Sequence, residues 1–116
     1  MIRTELSLRL PNNAGALAGV CRVLADERVH VLAMSLADTG QLRLLVDNHV
    51  HGAAMLRERR HQISEREVLV VDGVAATSAL RLLADAAINL NYSYGSESTL
   101  VLGVDDAIRA SAASGI

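Results

Sequence analysis

An α+β fold, with an antiparallel sheet and helices packed on one face, is what this chain of 116 residues predicts. Two features point to it. The hydrophobic period switches from two to about 3.6 and back again along the chain, and the pattern of the first half starts afresh in the second. Apolar residues make up 51% of the sequence, enough for one core or for two small halves that share one.

Residues 2 to 10 alternate strictly. Ile2, Thr4, Leu6, Leu8 and Leu10 fall on one face, and Arg3, Glu5, Ser7 and Arg9 on the other, as in a strand with one buried face. The lone proline, Pro11, then opens a turn through Asn12, Asn13, Ala14 and Gly15. Asn13 is the expected N-cap of the next helix, whose apolar stripe is Leu17, Val20, Cys21 and Leu24. Asp26-Glu27-Arg28 ends it.

Val29 to Ala37 is apolar at most positions and reads as a strand buried on both faces. Asp38-Thr39-Gly40 is a hairpin turn, and Gln41 to Val46 returns with Leu42, Leu44 and Val46 inward. Asp47-Asn48 caps a second helix running to about residue 61, with Val50, Ala53, Ala54 and Leu56 as its apolar side. Residues 62 to 72 form a further strand. The order βαββαβ folds by the handedness rules into an antiparallel sheet with both helices on one face.

The pattern then repeats. Val23-Leu24-Ala25-Asp26 recurs as Leu82-Leu83-Ala84-Asp85, and Leu44-Leu45-Val46-Asp47-Asn48 as Leu102-Gly103-Val104-Asp105-Asp106, at offsets of 59 and then 58 residues. Such self-similarity marks an internal duplication, with units at residues 1–66 and 67–116. A helix is expected near 76–87, strands near 88–95 and 98–104, and a short helix from Asp105. The second unit stops where its fourth strand should begin, so residues 62 to 72 must close the first unit and open the second.

Composition narrows the function. Eleven basic residues, all Arg, stand against 13 acidic ones, and aromatic content is 2%. Neither a basic patch nor stacking platforms for nucleic acid are expected. The longest apolar runs fall short of a membrane span. Met1-Ile2-Arg3-Thr4-Glu5 alternates charge and apolarity, unlike a secretory leader, and a cytoplasmic protein is expected. Cys21 is the single cysteine and reads as a core thiol. His49 and His51 lie two apart, which does not bring them together on a helix, so no metal site is assigned. Arg57, Arg59 and Arg60 read as a solvated helix end, where cations suit the negative pole of the dipole; a phosphate or acidic-partner site is the lesser alternative. No nucleophile, base or carboxylate pair stands out, so no catalytic residue and no cofactor is assigned.

Two places remain open. Tyr92 and Tyr94 alternate on one strand face, as core or subunit packing or as a pocket wall. The Pro11–Leu17 turn is either a plain capped connection or a site where free amides at a helix N-terminus meet a carboxylate.

The run Leu8-Arg9-Leu10-Pro11-Asn12-Asn13-Ala14-Gly15-Ala16-Leu17-Ala18-Gly19-Val20 resembles the ACT domain family: a strand, an Asn or Asp, one or two variable residues, Gly-x-Leu, then a helix. Val29-His30-Val31-Leu32-Ala33-Met34-Ser35 resembles that family's second strand. Ala86-Ala87-Ile88-Asn89-Leu90-Asn91-Tyr92-Ser93-Tyr94 is similar to a stretch of small stand-alone tandem ACT proteins. The resemblance covers essentially the whole chain. It implies a ferredoxin-like βαββαβ fold in two tandem units and a regulatory or sensory role in binding a free amino acid.

The same resemblance implies a site between the first strand–helix loop and the second strand of a neighbouring unit. The loop would contribute Asn12, Asn13, Ala14, Gly15, Ala16 and Leu17. The strand would contribute Met34, Ser35 and Leu36, or Asn91, Tyr92 and Ser93. Val74 aligns with Gly15 at the repeat offset, so the second loop is expected to lack a working site. The missing last strand is expected to leave an open sheet edge that favours a homodimer, with a regulated enzyme or regulator as a further partner. The competing reading is a ligand-free dimerisation or partner-docking module. An acylphosphatase-like enzyme is disfavoured, because the first strand–helix loop carries no Arg.

Overall fold

Ten elements follow one another in the computed structural model, which describes residues 1–116: β1 (Ile2–Arg9), α1 (Ala16–Asp26), β2 (Val31–Leu36), β3 (Gln41–Val46), α2 (His49–Glu58), β4 (Ser64–Val71), α3 (Gly73–Asp85), β5 (Leu90–Gly95), β6 (Leu100–Val104) and α4 (Ala107–Ser114). The fold is α+β, in ferredoxin-like βαββαβ order. Contacts divide the chain into Glu5–Arg66 and a unit made of Met1–Thr4 with Glu67–Ile116.

In the Glu5–Arg66 unit the strands lie in the order β2-β3-β1-β4. Leu6 sits opposite Leu44 and Leu8 opposite Leu42, antiparallel. This register follows from the alternation of β1, because a slip of one residue would turn its leucines out. Leu6, Leu8, Leu10, Leu42, Leu44 and Val46 pack with Val20 and Leu24 of α1 and with Ala53 and Leu56 of α2. Full burial of each such Leu or Val contributes roughly 1.5–3 kcal/mol.

In the other unit the order is β1-β4-β6-β5, with a core of Leu69, Val71, Leu102 and Val104 against Ala79 and Leu83 of α3 and Ala107 and Ala110 of α4. Met1 and Val70 exchange both backbone bonds, at 3.0 and 2.8 Å, and Ile2 packs on this core. The open edge expected at the truncated end is therefore absent. The first residues of β1 occupy the fourth-strand position.

The two units resemble each other in fine geometry. Asn48 and Asp106 cap α2 and α4 alike, accepting from the N–H of His51 and Arg109. Both β2 and β5 carry a bulge at their start, between Val31 and Ala33 and between Leu90 and Tyr92. Helices α1 and α3 end alike: Val29 donates to the Leu24 carbonyl at 2.8 Å and Ile88 to that of Leu83 at 2.9 Å. Arg28 and Ala87 precede these donors at φ 58° and 57°, as the Schellman motif requires.

Other expectations need correction. Strand β2 is an edge strand in the order above, and Leu32, Met34 and Leu36 are exposed. An unbroken apolar run marks a strand with partners on both faces or one whose edge is bare, and periodicity does not separate the two. Val50 lies 69% exposed and Ala54 is exposed too; Gly52, Ala53 and Leu56 form the buried side of α2, which ends at Glu58. Cys21 is only half-buried. Gly15, not Asn13, is the N-cap of α1.

Candidate functional site

Six residues, Leu10 to Gly15, join β1 to α1. Pro11 removes one donor and Asn13 folds the segment locally. Its N–H donates to the Pro11 carbonyl at 2.9 Å, and its side-chain oxygen accepts from Gly15 N–H at 3.2 Å. This Asx turn replaces the usual side-chain cap. The N–H groups of Asn12, Ala14 and Leu17 have no partner within the chain, as expected where a helix begins.

The β2–β3 hairpin closes over this loop. Leu10 N–H donates to the Gly40 carbonyl at 2.8 Å, and Gly40 holds φ +91°. A Cβ there would lie 2.6 Å from the Leu10 oxygen, so only glycine fits. Loop and hairpin enclose a pocket of about 360 Å³. Asn12, Asn13 and Leu17 line one side, and Leu36, Asp38 and Thr39 the other. Amide donors and apolar wall thus face a carboxylate within one unit.

Of the loop residues expected at a site, Asn12, Asn13, Ala16 and Leu17 line this pocket, with Leu36 from β2. Ala14 and Gly15 are on the exposed stretch of the loop. Gly15 has φ −94°, and a Cβ on it would meet only the Asn13 side-chain oxygen, at 4.0 Å. Neither conformation nor a close neighbour demands glycine there. Met34 sits opposite Leu44 and Ser35 opposite Arg43 on β2, short of the pocket lining.

Asn91, Tyr92 and Ser93 belong to the other unit. Asn91 donates to the Asp105 carboxylate at 2.7 Å. Tyr92 lies over Gly103, where any side chain would meet its ring, and stacks on Tyr94 at 6.3 Å between centroids. Asp38 was legible in the sequence only as a turn residue.

The corresponding turn of the second unit is built differently. One residue, Asp72, separates β4 from α3, and its side chain caps Val74 N–H at 2.9 Å. Gly73 N–H donates to the Glu97 carbonyl at 2.6 Å, and a Cβ on Gly73 would collide with that carbonyl. Val74 does not stand in the way of a ligand, as its alignment with Gly15 suggested. It is the second residue of α3 and 88% exposed. Five of the six residues that make the first loop have no counterpart.

The histidines are engaged or solvated. His51 meets Glu27 at 3.0 Å and His30 meets Asp47 at 3.0 Å. The hydrogen bond from the His30 side chain, reinforced by one from its backbone N–H, holds the Asp47 carboxyl below the usual carboxylate range. No helix is long and apolar enough to cross a membrane.

No family model and no curated protein matches the sequence. Solved structures do share the fold. Protein BT0572 from Bacteroides thetaiotaomicron superposes with a TM-score of 0.82 at 22% identity, over 97% of this chain and 86% of that one. The regulatory subunit of aspartate kinase from Thermus flavus gives 0.65 at 16%, over 99% and 94%. Its counterpart from Thermus thermophilus, in a ligand-free form, gives 0.67 at 18%, over 97% and 89%. These structures thus share the α+β fold of this chain.

Proposed function

We propose that this chain is a non-catalytic, cytoplasmic regulatory protein of the ACT type that binds a free amino acid. Its two tandem units divide near residue 66, and the first carries the site. The observation behind this reading is that one pocket offers both halves of zwitterion recognition. The free amides of the Asn12–Leu17 turn and the α1 dipole receive the carboxylate, and Asp38 receives the ammonium. Leu17 and Leu36 supply an apolar wall for the side chain. Similarity to proteins that are themselves regulatory subunits supports a role in controlling an enzyme or another regulator.

A thermal-shift screen of the twenty amino acids tests this. A ligand at 100 times its dissociation constant stabilises the folded state by about 2.7 kcal/mol. Asp38→Asn should abolish the shift while leaving the melting point of the free protein near the wild-type value. Absence of a shift with every amino acid overturns the reading.

A second reading, a ligand-free assembly module, is favoured by the exposed row Leu32, Met34 and Leu36 along the β2 edge. The same row suits a homodimer that also binds a ligand, so the screen separates the two readings.

A further inference from the structure

A cavity of about 450 Å³ in the Glu5–Arg66 unit is distinct from the amino-acid pocket. It lies between β1, the start of β3 and the segment that joins α2 to β4. Its lining is cationic and polar: Arg9, Gln41, Arg60, His61, Gln62 and Ser64 contribute, and no carboxylate does.

The partners of these groups matter more than their number. Across the same stretch Arg57 is satisfied, donating to the Glu65 carboxylate and the Ile63 carbonyl, both at 3.1 Å. The Arg60 guanidinium has no partner in the chain, and neither do the side chains of His61, Gln41 and Gln62. Arg9 gives one N–H to the Thr39 carbonyl at 3.0 Å and keeps the rest of its fork. The Arg60 backbone is fixed by its N–H bond to the Arg57 carbonyl at 2.9 Å, and His61 is fixed by its own to Leu56 at 3.0 Å. The cationic side chains thus start from anchored positions.

We infer that this cavity is a second binding site, for the phosphate group of a small phosphorylated metabolite. Two guanidinium forks suit a tetrahedral oxyanion, since each can offer paired N–H donors. The carboxamides of Gln41 and Gln62 both donate and accept, which suits the polar remainder of such a molecule rather than a bare ion. The site is separate from the amino-acid pocket and stands or falls independently of it.

The test is calorimetric titration of the full chain at constant ionic strength with inorganic phosphate, pyrophosphate, AMP and malonate. AMP or pyrophosphate is expected to bind more tightly than inorganic phosphate, and malonate at least tenfold more weakly than either. Arg60→Ala and Arg9→Gln should each weaken the phosphate ligands at least tenfold. Arg59→Ala, next in sequence but outside the cavity, should bind as wild type. Circular dichroism establishes that each variant is folded. No heat with any phosphate ligand at millimolar concentration overturns the inference. So does malonate binding as tightly as the phosphates, or an Arg59→Ala loss equal to that of Arg60→Ala.

Discussion

Leu10 and Gly40 are locked together by a 2.8 Å hydrogen bond, and the contact tolerates no side chain on Gly40. It is the hinge that holds the hairpin over the first strand–helix loop. Gly40→Ala combines an unfavourable positive φ with a collision against the Leu10 carbonyl. It should destabilise the protein by about 2 kcal/mol and open the pocket. A denaturant melt together with the amino-acid thermal shift checks both effects.

The exposed row on β2 predicts assembly. A sheet edge with bare N–H and C=O groups and three apolar side chains pairs with another copy, and a lysine on it prevents this. Leu32→Lys should convert a dimer into a monomer without lowering the melting point of the monomer. Multi-angle light scattering at about 100 µM, a concentration at which micromolar dimers are populated, reads the mass. A wild-type monomer there removes the dimer from the proposal.

Ala87 ends α3 at φ 57°, where an L-residue carries a steric penalty that glycine lacks. Ala87→Gly should therefore stabilise the chain by about 1 kcal/mol, raising the thermal midpoint by a few degrees. A lower midpoint would mean that the Ala87 methyl makes a contact worth more than the strain.

The His30–Asp47 pair predicts a pH dependence. The Asp47 carboxyl titrates lower in the folded state than in the unfolded chain. Its contribution is thus fully present above about pH 4, the ordinary aspartate value, and is lost as pH falls through the depressed one. Asp47→Asn should melt slightly earlier than wild type at pH 7, and the gap should close below pH 4. Thermal midpoints measured between pH 2.5 and pH 7 show whether it does.

Strand β1, the stripe of α1 and the recurring order of elements were legible because each depends on local periodicity or self-similarity. What failed depends on long-range pairing. The apolar run of β2 is compatible with a central or an edge strand, and only the partner of β3 decides. The one-residue turn at Asp72 was hidden because a deletion inside a turn leaves the flanking periods intact, which placed Val74 on Gly15. Asp38 obeys the chemistry of a hairpin turn, so its place in the pocket is visible only once Gly40 is bonded to Leu10. Asn13 was recognised as a capping residue but placed two positions too deep, since an Asx turn uses the same side chain just before the helix.

The assignment of Met1–Thr4 to the unit of Glu67–Ile116 has a consequence for biogenesis. On the ribosome the stretch Glu5–Arg66 is available to fold early. The first residues of β1 must wait for β4, tens of residues later, before their ladder partner exists. Until then the leading edge of β1 is an unpaired strand end exposed to other nascent chains. Synthesis order and pairing order differ, so Met1–Thr4 are made before the Glu5–Arg66 stretch yet find their place after it.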